Sequence, residues 1–256
     1  MKPPALVLDL DHTLVGDVTP LLRRYALLRA IRGWGLACPC PDAALSECLS
    51  ATPLLRPGVA DFLRRASGAG SKLFVFTASE REWATVLVRA IGRAAGVRFA
   101  RPLFARDSCH VRPDGTIGKS LSVLGPRRAS STRGSSVGGG AGAGGAKVVV
   151  IDNATVWADL GDAQFLHCPT YRYAPPVDVL EGIPSATLGD PRVADVVARM
   201  ARAGQCYNPV AYADAAKAAC HRHRFLARSA LQRVHQNAPH LDDDFFTRAV
   251  LTLAGL

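Results

Sequence analysis

Three continuous apolar runs, at residues 5–9, 72–77 and 147–152, each finish on a polar residue, and none of them alternates. A strand with one wet face alternates apolar and polar residues; an unbroken run predicts a strand buried on both faces. Such strands belong to a parallel sheet covered by helices, with the polar residues Asp9, Thr77 and Asp152 at its carboxyl edge. A shorter run at 164–168 predicts a fourth strand. Helical spacing appears between the runs. Residues 58–66 have apolar positions suited to packing on a sheet. Ser79 and Glu82 have the spacing of a capping box, opening a helix that carries Trp83, Val86, Leu87, Ala90 and Ile91. The expected class is α/β, and 256 residues suffice for one large domain with a modest appendage.

Two stretches interrupt this alternation. Residues 17–55 separate the first run from Arg56-Pro57-Gly58, and the recurrence of Leu21, Leu22, Tyr25, Leu28 and Ile31 predicts a helical insertion. Residues 126–146 are rich in Gly, Ser and Arg and offer little apolar surface to offset their ordering entropy, so a flexible loop is expected there. Within it, Arg127-Arg128-Ala129-Ser130 has the form of a kinase target. From Pro191 to the end the pattern is helical, with breaks at Tyr207-Asn208-Pro209 and Ala238-Pro239. The expected organisation is an α/β domain over 1–190 and a helical region over 191–256, packed on that core or forming a small lobe.

No apolar run approaches the length of a membrane span, and the first residues lack the apolar core of a signal peptide. An intracellular protein, cytoplasmic or nuclear, is expected. The seven cysteines fit reduced thiols better than a disulfide framework; Cys38, Cys40 and Cys48 could offer soft ligands to zinc, but without a CxxC pair. The net charge of +10 points to an acidic partner, whether a phosphoprotein, a nucleic acid or a small anionic substrate.

Chemistry concentrates at the run ends. In Asp9-Leu10-Asp11-His12-Thr13, two carboxylates at i and i+2 point the same way if the chain is extended. Their repulsion is costly unless a cation sits with them, and magnesium suits oxygen ligands. One carboxylate can then attack an electrophile while the other handles a proton. Thr77 and the free N–H groups of the following turn make a phosphate cradle. Lys119 stands where a helix could start and could offset phosphate charge, and Asp152 could complete a magnesium shell. In a parallel sheet these distant residues meet at one edge.

Asp-Leu-Asp-x-Thr, Phe-Thr-Ala-Ser, a loop lysine and Val-Ile-Asp-Asn, in this order, resemble the four signature motifs of haloacid dehalogenase (HAD-like) phosphatases. With Leu55-Arg56-Pro57-Gly58-Val59 and Lys119-Ser120-Leu121, the resemblance extends to the NLI-interacting factor-like branch. That branch includes the small phosphatases of the RNA polymerase II C-terminal domain. The resemblance implies a Rossmannoid fold and a magnesium-dependent phosphomonoester hydrolase, acting on protein phosphoserine or phosphothreonine. It implies Asp9 as nucleophile, Asp11 as general acid and base, and Thr77 and Lys119 on the phosphoryl group. Magnesium would be held by Asp9, Asp11 (through its carbonyl) and Asp152, with Thr13 and Asn153 in support. Three features depart from the branch: His12 follows Asp11 where an acid is common, residues 17–55 read as helical where a small β flap is usual, and the low-complexity loop at 126–146 is an added insertion. The alternatives are a phosphatase of small metabolites or polynucleotides, and a catalytically silent binding module.

Overall fold

The computed structural model describes residues 3–113, 115–124, 147–174, 179–203 and 243–254. The glycine-rich stretch with its Arg127-Arg128-Ala129-Ser130 fragment, and residues 204–242, lie outside these. The described chain is an α/β protein whose central sheet is parallel, as the unbroken apolar runs predict. Strands β1 (Ala5–Leu8), β2 (Lys72–Val75), β5 (Val148–Asp152) and β7 (Gln164–His167) lie in the order β2-β1-β5-β7. Every pairing in that sheet is parallel.

The register explains why the runs do not alternate. Phe74, Val7, Val150 and Phe165 stand abreast across the four strands, and Val75, Leu8, Ile151 and Leu166 form the next row. Successive residues on a strand face opposite sides. Leu6, Val7 and Leu8 are nonetheless all fully buried, so both faces of the sheet are covered. Val7, Phe74 and Val150 pack with Phe76, Phe104 and Leu121. Each such buried side chain contributes about 1.5–3 kcal/mol relative to exposure.

The chain divides into two compact units. The first comprises residues 1–16, 55–171 and 242–256. It holds the sheet, helices α3 (Val59–Gly68) and α4 (Arg81–Ala95), and the final helix α7 (Phe245–Ala254). A small second sheet of β3 (His110–Val111), β4 (Ile117–Ser120) and β6 (Trp157–Asp159) also belongs to it. The second unit comprises residues 17–54 and 172–241. Its described helices are α1 (Thr19–Gly33), α2 (Pro41–Ala51), α5 (Ser185–Leu188) and α6 (Pro191–Ala203). Leu27, Leu28, Ile31, Ala44, Leu180, Ile183 and Val193 form its core. The segment after β1 is therefore helical, as its spacing predicts. Among the described residues, no helix is long and apolar enough to cross a membrane.

Two local expectations fail. The helix after β2 starts at Arg81 with Glu80 at its N-cap and no side-chain cap bond, so Ser79 and Glu82 do not form a capping box. Lys119 lies on β4, paired antiparallel to β3, and does not open an α-helix. Both residues are recruited to the carboxyl edge of the sheet, as described next.

Candidate active site

β1 delivers Asp9 to the carboxyl edge, and the ladder continues into it: the Asp9 N–H donates to the Ile151 carbonyl at 3.0 Å. β5 ends on Asp152. β2 is extended past Val75 because Phe76 bridges Phe104 and the Thr77 N–H donates to the Phe104 carbonyl, which brings Thr77 to the same edge. Asp9, Thr77 and Asp152 are all buried, as is Lys119.

Lys119 joins the first and third of these. Its ammonium donates to Asp9 Oδ1 at 2.7 Å and to Asp152 Oδ2 at 2.8 Å. The rings of Phe76 and Trp157 lie 5.8 and 5.6 Å from the same nitrogen, within cation–π range. Trp157 Nε1 also donates to Asp152 Oδ2 at 2.9 Å, and the Ala154 N–H donates to its Oδ1. Asp152 is thus a carboxylate held on both oxygens. Nothing in the sequence marks Trp157 as part of the site. Its position five residues after Asp152, in a weakly apolar stretch, carries no signal of its own.

Thr13 turns back over Asp9. Its hydroxyl lies 3.1 Å from Asp9 Oδ2 and 3.1 Å from Asn153 Oδ1, and accepts the Asn153 N–H. One proton serves two acceptors, so the hydroxyl chooses between them. His12, between Asp11 and Thr13, has a φ of 62°, a left-handed conformation that non-glycine residues rarely adopt. Tyr171 holds it there from both sides. The Tyr171 N–H donates to the His12 carbonyl at 2.8 Å, and His12 Nδ1 lies 3.1 Å from the Tyr171 carbonyl.

Asp11 does not share the Lys119 cluster. Strand β1 stops at Leu8, and beyond it Asp11 Oδ2 accepts the Ser79 hydroxyl at 2.5 Å and the Thr77 hydroxyl at 3.2 Å. The Ser79 N–H in turn donates to Thr77 Oγ1. This is why Ser79 does not cap α4: its hydroxyl is spent on a carboxylate 68 residues earlier in the chain.

Burial pushes the Asp9 carboxyl up to about 6; Lys119 opposes that rise, while Asp152 and Asp11 add to it. Burial pulls the Lys119 ammonium down, yet Asp9 and Asp152 outweigh it and leave its pKa raised. Two carboxylates, Asp9 and Asp152, thus share one ammonium, with the Asp11 carboxylate held nearby by hydroxyls alone, and the surplus charge is negative. That surplus and an all-oxygen donor set fit a hard cation such as magnesium, which is often held by one or two carboxylates and water. Among the described residues, no group of three His, Cys, Asp or Glu side chains is arranged as a ready metal cage. A site of two carboxylates and a backbone carbonyl needs none.

Arg56 supports this edge from behind. Its guanidinium, buried with its residue only 1% exposed, donates to the Pro169 carbonyl at 2.8 Å and to Cys168 Sγ, and pairs with Asp243 Oδ2. Tyr171, Phe245 and Phe246 stack around it at 5.2–5.6 Å. Gly58, at φ 78°, lets α7 approach: a Cβ there would lie 3.0 Å from the Thr247 hydroxyl.

Residues 4–181 match the family model described as NLI interacting factor-like phosphatase. No curated protein and no solved structure matches the chain.

Proposed function

The chain belongs to the NLI interacting factor-like phosphatase family, a phosphatase of the HAD type, and we propose that it is a magnesium-dependent protein serine/threonine phosphatase working through a phosphorylated Asp9. The observation that carries this reading is the meeting of Asp9, Lys119 and Asp152 beside an Asp11 that two hydroxyls hold separately. Two carboxylates in unlike surroundings suit unlike roles.

Asp9 attacks the phosphorus of the bound monoester, and the bond to the leaving oxygen breaks. Asp11 gives that oxygen its proton, so the alcohol departs neutral and an acyl phosphate remains on Asp9. Asp11, now ionised, takes a proton from water as it attacks the same phosphorus. Inorganic phosphate leaves and Asp9 is regenerated. Thr77 and Ser79 keep Asp11 aimed through both steps, and Lys119 offsets the charge of Asp9 and of the phosphoryl oxygens. Asp9, Asp152 and the backbone carbonyl of Asp11 would hold magnesium, which supplies Lewis-acid stabilisation of the phosphoryl charge. Thr13 and Asn153 fix the orientation of Asp9. The full set of these side chains supports catalysis over a silent binding module.

The test is turnover of p-nitrophenyl phosphate by wild type and by Asp9→Asn, with and without magnesium. Expected are metal-dependent turnover, its complete loss in Asp9→Asn, and inhibition by beryllium fluoride with magnesium. Full activity at saturating beryllium fluoride would overturn the covalent scheme.

A further inference from the structure

Beside the site, along α4, runs an open groove of about 1090 Å³ that contains neither Asp9 nor Lys119. Five arginines line it, Arg81, Arg89, Arg93, Arg98 and Arg101, and no acid does. All five are exposed. Asp107 neutralises Arg81. Arg89, Arg98 and Arg101 have no acidic partner among the described residues. Three like charges kept together in one groove repel each other, and an anionic ligand relieves that repulsion.

The floor narrows the class of anion. Val88, Phe99 and Leu103 are half-buried among the arginines. Apolar, mostly aliphatic surface flanked by guanidinium groups suits a peptide with apolar and acidic side chains. A nucleic-acid strand would rather meet several aromatic faces, and Phe99 is the one aromatic ring in this lining.

The groove also points at the chemistry. Arg81, at one end, follows Ser79 by two residues, and the Ser79 hydroxyl bonds Asp11. Arg106 reinforces the junction by donating to the Ala78 carbonyl at 2.7 Å. From there α4 runs 15 residues. At about 1.5 Å rise per residue this spans about 22 Å, the length of about seven extended residues.

We propose that this groove docks an acidic, partly apolar segment of the protein substrate, within about seven residues of the phosphorylated side chain. The proposal rests on the phosphoprotein phosphatase reading and adds to it a substrate class. Specificity would arise from the arginines of α4 and the following loop, apart from the reacting groups.

The experiment compares phosphoserine peptides whose flanks are either neutral or carry four acids and two leucines, placed before or after the phosphoserine. Full-length wild type and Arg89→Glu/Arg98→Glu/Arg101→Glu are assayed, with p-nitrophenyl phosphate as the reference substrate. One acidic peptide should show a KM lower by about tenfold than the neutral one, shrinking towards parity at about 0.5 M salt. The triple variant should lose that preference while p-nitrophenyl phosphate turnover stays within about twofold. Arg98→Gln, a milder change, should lose part of it. Equal KM for all peptides in an active wild type would overturn the proposal.

If wild type turns over no phosphomonoester, the catalytic reading fails on its own. The groove is then judged by fluorescence anisotropy with the unphosphorylated acidic peptide. Equal binding by wild type and the triple variant would overturn it there too. Weakened binding of a single-stranded oligonucleotide with unchanged peptide binding would overturn the peptide assignment in favour of nucleic acid.

Discussion

Asp9 is the residue where function and stability oppose each other most directly. Its carboxyl is raised to about 6, with burial as the chief cause. A carboxyl raised in the fold contributes stability that is complete below its unfolded pKa near 4 and is lost as pH rises through about 6. In metal-free buffer above pH 6, Asp9→Asn should therefore be more stable than wild type, by on the order of 2 kcal/mol. The gap should close near pH 4. Urea titrations at both pH values in EDTA check this, and a less stable Asn variant at pH 7.5 would contradict it. The cysteines give a second contrast at this scale. Burial pushes the Cys168 thiol up to about 12, whereas the Ala43 N–H chiefly lowers that of the exposed Cys40. Because the thiolate is the reactive form, iodoacetamide at pH 7.5 should label Cys40 at least about 100-fold faster than Cys168. Peptide mapping over time reads that order, and comparable rates would show that Cys168 is not enclosed.

At the scale of elements, what the sequence makes legible follows from how local the cause is. The sheet strands were readable because burial on both faces leaves an unbroken apolar run in each, and Asp9, Thr77 and Asp152 follow directly from where the runs stop. The capping-box spacing does not give the start of α4, because the hydroxyl that would define the box is claimed by Asp11, a partner remote in sequence. Lys119 was recognisable by its motif but not by its element, since β4 is four residues long and carries no apolar pattern. Trp157 and Arg56 owe their roles to groups that only folding brings near. The turn from Thr77 to Glu80 is thus shaped by the site and not by helix capping. Ser79→Ala should accordingly lower kcat by about 10–150-fold, the cost of one hydrogen bond to a charged group at about 1.5–3 kcal/mol, and leave the thermal midpoint within about 1 °C. If the midpoint falls by several degrees and kcat holds, Ser79 is a cap after all.

At the scale of the whole molecule, the first compact unit is assembled from three stretches of chain, 1–16, 55–171 and 242–256, so its last helix is structural although it lies beyond the family match at 4–181. The link is electrostatic as well as apolar. Arg56 is enclosed, and Asp243 is the carboxylate paired with it. Phe246 packs edge-on against Phe62 of α3 with ring centroids 5.0 Å apart. Removing one partner of a buried ion pair leaves the other charge uncompensated, at about 3–5 kcal/mol. The neighbouring pair of Asp244 with Arg248 is exposed and one turn apart on α7, a geometry that contributes about 0.3–0.5 kcal/mol. Adjacent aspartates should therefore behave differently. Asp243→Asn should lower the thermal midpoint by at least about 6 °C, and Asp244→Asn by less than about 2 °C, on the usual scaling for a unit of this size. Truncation after residue 242 should exceed both, because it removes the Phe62–Phe246 contact along with the charge. Differential scanning calorimetry of the three variants decides it. Equal, small shifts for Asp243 and Asp244 would mean that Arg56 finds its compensation in Cys168, Pro169 and the surrounding rings, and that the final helix is dispensable to the fold.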